Sequence, residues 1–174
     1  MMNNFDEYLG PGDDDIREVR GALLDDTIDV LGPSDPIRLP TTASVQEAVQ
    51  AMLRRRQAGV LVVDDEGRLA GIFTERDVLT RVVGREADAR RTTLGDVMTP
   101  RPEALSVDHR IAYAVHCMSV AGYRTVPLVD ADGRPTGIVT VTDVIRWLAN
   151  LFPEAVLNLA PSDRLKRPNE IDGG

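Results

Sequence analysis

Two four-residue stretches hold the side chains best spaced for chemistry, Thr74-Glu75-Arg76-Asp77 and Thr140-Val141-Thr142-Asp143. In each, a hydroxyl and a carboxylate three residues apart stand where an apolar run gives way to a helical pattern. That is the pattern of a helix start, with threonine as the cap and aspartate at the third helical position. Such a cap stabilises a helix by about 1 kcal/mol and needs no ligand. It also leaves oxygens free, so the chemistry open to these residues is binding rather than turnover. Catalytic alternatives fail on inspection. His109 and His116 are too few for a metal cluster, no zinc-ligand spacing occurs, and His116 and Cys117 are neighbours facing different sides of a helix. No catalytic set and no metal site are expected.

The two stretches belong to a longer repetition. Thr140 follows Thr74 by 66 residues, and the same offset relates Thr27 to Thr93, Pro36 to Pro102, Leu39 to Leu105, and Met52 to Met118. It continues through Val60 and Val126, Val63-Asp64 and Val129-Asp130, Gly67-Arg68 and Gly133-Arg134, and Gly71 and Gly137. An ungapped period over about 55 residues marks a duplicated structural unit.

Each copy must then supply elements that position its Thr and Asp. Ser44 followed by Glu47 is a capping box, and Val45, Ala48, Val49 and Met52 form one apolar helical face. Val60–Val63 reads as a buried strand, Asp64–Gly67 as a hairpin turn, Arg68–Phe73 as a second strand and 75–83 as a helix. The second copy repeats this with a segment at Glu103–Val107, a helix over Arg110–Ala121, strands at Thr125–Val129 and Thr136–Val139, and a helix over 141–151. Pro127 lacks an amide proton, so that strand must lie at an edge or turn this position away from a neighbour. The boundaries expected are a tail with a short amphipathic helix over 1–26, repeat one over 27–83, an exposed linker over 84–92, repeat two over 93–152, and a disordered tail over 153–174.

Composition narrows the function classes. Net charge is −8, from 20 basic and 28 acidic residues, which argues against a nucleic-acid or anionic-membrane surface. No apolar run approaches the roughly 20 residues that span a bilayer. One cysteine excludes an internal disulfide. A cytoplasmic protein is the expectation.

Each copy reads β-α-β-β-α, too few elements to close a core alone, so two copies should pack sheet to sheet around a pseudo-two-fold axis in an α/β (α+β) fold. At this point the residues resemble a known family. The paired G-h-x-T-x-x-D endings, the V-x-V-V-D-x-x-G-R-x-x-G blocks and Val97-Met98-Thr99-Pro100 are similar to a tandem pair of CBS domains, a Bateman module, over about residues 26–152. The resemblance implies a non-catalytic regulatory module that binds an adenosine-containing ligand, of the AMP, ADP, ATP or S-adenosylmethionine type, between its repeats. It implies that Asp77 and Asp143 accept hydrogen bonds from ribose hydroxyls, that Thr74 and Thr140 meet phosphate, and that Arg76 and Arg124 stand near it. Base contacts would come from apolar residues at strand starts, such as Ile37, Val60, Ala104 and Val126, which are core residues first, and the sequence does not say which of them face a cleft. A carboxylate can accept from both hydroxyls of a cis-diol, and a helix start offers N–H groups to phosphate. The resemblance further implies a homodimer built through helices 44–57, 75–83, 110–121 and 141–151, and a protein target. Trp147 and Tyr123 are expected in the core or at such an interface, Trp147 being the better interface candidate. A structural or protein-interaction module with empty clefts is the alternative.

Overall fold

The computed structural model describes residues 13–151; the tails expected at 1–12 and 153–174 lie outside the described residues. Helix α1 (Asp13–Asp25) lays Ala22 and Leu23 against the second half of the molecule. A 3-10 turn (Ile28–Leu31), strand β1 (Arg38–Pro40), helix α2 (Val45–Arg55), and strands β2 (Gly59–Val63) and β3 (Leu69–Thr74) follow. The second half contains α4 (Leu94–Val97), β4 (Thr99–Pro100), α5 (Ile111–Val120), β5 (Thr125–Val129), β6 (Pro135–Thr140) and α6 (Val141–Leu151). Helix α2 starts at the expected box: Ser44 N donates to Glu47 Oε2 at 2.7 Å and Glu47 N to Ser44 Oγ at 3.2 Å.

Strand alternation sorts the apolar residues into three clusters. Val60, Val62 and Phe73 face α2 and its residues Val45, Ala48 and Met52. Val126, Leu128 and Val139 face Ile111, Ala114 and Cys117 of α5 and Trp147 of α6. Leu61 and Ile72, on the opposite face of the first sheet, meet Ile138 of the second. The two sheets pack face to face, as expected from a duplicated unit that cannot bury itself alone.

The repeats interlock. Strand β4 pairs with β3 of the first sheet (Gly71 with Pro100, Ile72 with Thr99), while Ser34 bridges to Ile138 of the second. Thr27 bridges to Arg110 and Ser44 to Thr93, the same contact made in both directions. Ile28 and Leu31 therefore complete the second core, and Leu94 and Val97 the first.

Three expectations need correction. The helix expected over 75–83 is one α-turn (α3, Glu75–Asp77), a π-turn (Val78–Val82) and a 3-10 turn (Val83–Arg85). Thr80 Oγ1 donates at 2.8 Å to Arg76 O, the carbonyl that the regular ladder would use, and such back-bonding disrupts a helix. The stretch after it is less free than a linker: Ala87 and Ala89 pack on the first core, and Gln46 N donates to Ala89 O at 2.9 Å. Glu103–Val107 makes only an isolated bridge, Leu105 with Leu128, where repeat one has strand β1. Pro127 accounts for the difference. Its counterpart Leu61 donates its N–H to Ile37 O at 2.8 Å, a bond that proline cannot make. Of the two places open to Trp147, core or interface, the structure puts it in the second core, 9% exposed.

Candidate ligand clefts

Strands β3 and β6 both end on threonine, and a helical turn begins at the next residue. Glu75 N donates to Ala58 O and Val141 N to Arg124 O, each at 3.1 Å, so the two starts are tied to the neighbouring strand alike. In the first, Thr74 N and Oγ1 donate to Asp77 Oδ2 at 2.9 and 2.7 Å. In the second, Thr140 N and Oγ1 donate to Asp143 Oδ2 at 2.8 and 2.7 Å, and Asp143 N donates back to Thr140 Oγ1 at 3.3 Å. Asp77 and Asp143, each 7% exposed, are the buried charged residues among those described.

This geometry revises the role expected of the threonines. A hydroxyl has one proton, and both threonines give theirs to a carboxylate. As arranged here, Thr74 and Thr140 hold the aspartates in place and have no hydrogen left for a phosphate.

The other carboxylate oxygens are also occupied. Asp77 Oδ1 pairs with Arg81 Nε at 3.3 Å, and Asp143 Oδ1 with Arg146 Nη1 at 3.1 Å. Neither arginine was singled out from the sequence, although each lies one helical turn after its aspartate, at the spacing where opposite charges meet. Arg76 and Arg124, which were expected near phosphate, are exposed. Val60 and Val126 are 0% and 1% exposed and lie inside the two cores, so neither faces the space between the sheets; Ile37 is buried in the first core as well. The alternation of β2 explains this, because the face carrying Val60 is the one covered by α2.

Each carboxylate follows a strand whose glycine lies under chain from the other repeat. A Cβ at Gly71 would overlap Met98 Sδ and lie 3.0 Å from Thr99 O. One at Gly137 would lie 3.2 Å from Pro33 Cβ. Elsewhere, His109 Nδ1 accepts from Ser106 N at 2.9 Å and so holds a turn. Cys117 is buried, and burial pushes its thiol pKa up. Among the described residues no group of three His, Cys, Asp or Glu side chains is placed to hold a metal ion.

Two repeats packed sheet to sheet, with an Asp at each strand-to-helix junction, are the arrangement the sequence resemblance implied. The CBS domain model matches twice, over residues 29–84 and 94–150. The chain belongs to the CBS-domain family. Among curated relatives, the meiotically up-regulated gene 70 protein of Schizosaccharomyces pombe is 34% identical over 79% of this chain and 19% of its own length. The CBS domain-containing protein CBSCBSPB5 of Arabidopsis thaliana is 38% identical over 51% of this chain and 16% of its own. This CBS pair thus spans less than a fifth of the length of either. Among solved structures, the CBS domain pair of protein MJ0100, in complex with 5′-methylthioadenosine and S-adenosyl-L-methionine, is 25% identical. It superposes with a TM-score of 0.65 over 72% of this chain and 97% of that one. The CBS-domain containing protein ATU1752 of Agrobacterium tumefaciens is 25% identical, with a TM-score of 0.62 over 70% of this chain and 97% of its own. Among the described residues, no helix of the CBS pair is long and apolar enough to cross a membrane.

Proposed function

We propose that this CBS pair is a non-catalytic regulatory module that binds an adenosine-containing small molecule between its repeats and signals its occupancy to a protein partner. The observation that carries this reading is the pair of buried aspartates, each fixed at a helix start after a strand whose glycine lies under chain from the other repeat. A buried carboxylate held by its own backbone is a preorganised acceptor for a ribose diol. Because each cleft is built from both repeats, a ligand there touches both and biases their relative placement by whatever affinity difference it has for the two arrangements. The MJ0100 pair, at 25% identity, binds S-adenosylmethionine and 5′-methylthioadenosine. The module acts as a homodimer: Leu53, Val120 and Ile145 are exposed large apolar residues on α2, α5 and α6.

One observation favours the rival reading, a structural or interaction module with empty clefts. Both carboxylates are satisfied within the chain by a cap and an arginine. A thermal-shift titration with AMP, ADP, ATP, S-adenosylmethionine and 5′-methylthioadenosine separates the two. A true ligand at one hundred times its Kd adds about 2.7 kcal/mol, a rise of roughly 5–10 °C for a domain of this size. No shift with any of them leaves the interaction module standing.

A further inference from the structure

The two clefts share one box but differ in what surrounds it. We infer that only the cleft at Asp143 takes a ligand, so that each chain binds a single adenosine-type molecule; this rests on the function proposed above. In the first cleft the chain supplies its own occupant. Arg81 pairs with Asp77 Oδ1 at 3.3 Å, and its Nη1 donates to Val97 O at 2.8 Å and Met98 O at 2.6 Å. One ion pair and two hydrogen bonds lock the guanidinium over the oxygen that a ribose diol would need, and its planar fork is suited to several acceptors at once. Met98 closes the rest. Its Cγ stands 2.9 Å from where a Cβ of Gly71 would be, leaving no gap over that glycine.

The second cleft also pairs its carboxylate with an arginine, but it lacks the clasp on main-chain carbonyls and has Pro33 rather than a methionine against its glycine. The residue 66 positions before Met98 is Gly32, which has no side chain, and the residue 66 after Arg81 is Trp147, turned into the core. Asp143 Oδ1 meets Arg146, whose side chain is 65% exposed and makes no other hydrogen bond among the described residues. With its side chain largely in solvent and no second anchor, Arg146 gives way to a ligand hydroxyl more readily than Arg81 does. Arg124 stands exposed where the first repeat has Ala58, and its carbonyl accepts from Val141 N at 3.1 Å, so a second cation besides Arg146 is set at the second helix start.

Calorimetric titration of the full chain with AMP and with 5′-methylthioadenosine tests this. The result expected is one equivalent per chain, affinity at least tenfold weaker in Asp143→Asn, and a second equivalent in the Arg81→Ala/Met98→Gly double variant. Two equivalents in the unchanged chain, or wild-type affinity in Asp143→Asn, overturn the choice of cleft and leave the proposed function intact. Uptake by the double variant alone does the same. No uptake by either the unchanged chain or the double variant overturns both. A measurement on the unchanged chain guards against variants that fail to fold. The Met98 methyl resonance keeps its position as the probe saturates, whereas its displacement places the ligand in the first cleft and refutes the inference.

Discussion

Asp143 holds a helix start with one oxygen and pairs with Arg146 through the other, so its removal has a structural cost that is separable from any binding role. Asp143→Ala deletes the acceptor for Thr140 N and Oγ1 and is expected to lower stability by about 1 kcal/mol. Asp143→Asn keeps one acceptor oxygen and should lose less. Urea unfolding of the two variants checks this ordering, and equal losses would mean that the charge rather than the cap stabilises the helix start. Cys117 gives a second expectation of this kind. Burial holds its thiol pKa above the ordinary value, so little reactive thiolate exists near neutral pH. A thiol reagent should label the native chain slowly and the urea-unfolded chain fast; equal rates would show that α5 opens readily. The boxes at Thr74 and Thr140 were legible in the sequence because cap and carboxylate are three residues apart. The Arg81 clasp was not, because its acceptors Val97 and Met98 lie 16 and 17 residues away and reach it only through folding.

The strands and helices were legible wherever the apolar pattern was unbroken, and two departures each sit at one side chain. Thr80 back-bonds to Arg76 O where the helix loosens into a π-turn, and Pro127 reduces a strand to a bridge. Gly71 marks where β4 crosses β3. A methyl group at Gly71 would meet Thr99 O, a backbone atom, at 3.0 Å as well as the Met98 thioether. Overpacking of this kind costs about 1–3 kcal/mol, more than the roughly 0.4–1 kcal/mol that alanine gains over glycine through the unfolded chain. Gly71→Ala is therefore expected to be destabilising. At Gly137 the nearest atoms would be Pro33 Cβ at 3.2 Å and Leu128 Cδ1 at 3.3 Å. A shift of a few tenths of an ångström relieves that contact, so Gly137→Ala should stay within about 1 kcal/mol of the unchanged chain. Denaturant midpoints of the pair decide the matter, and a larger loss at Gly137 would show that the second crossing is the tighter one.

The duplication was visible in the sequence, but the exchange of segments between copies was not. A period reports which positions are equivalent; it does not say whether Thr27–Leu31 packs in its own copy or in the other. The structure sends Ile28 and Leu31 to the second core and Leu94 and Val97 to the first. Neither half of the chain is then a folding unit. Cutting after Asp88 leaves the first core without two large side chains, and the second core loses its own two. Burial of each contributes about 1.5–3 kcal/mol, so each half forfeits a sum comparable to the 5–15 kcal/mol that holds a typical domain together. The crossing strands at Thr99-Pro100 and Ser34 are lost to their sheets as well. The two pieces, made separately, are expected to give collapsed amide spectra, and mixing them should restore native dispersion. In the intact chain, Ile28→Ala and Leu94→Ala should each cost about 2–5 kcal/mol and lower one shared unfolding transition rather than split it. A dispersed spectrum from either piece alone, or two transitions in either variant, would show that the repeats fold independently and that the exchanged segments only decorate them.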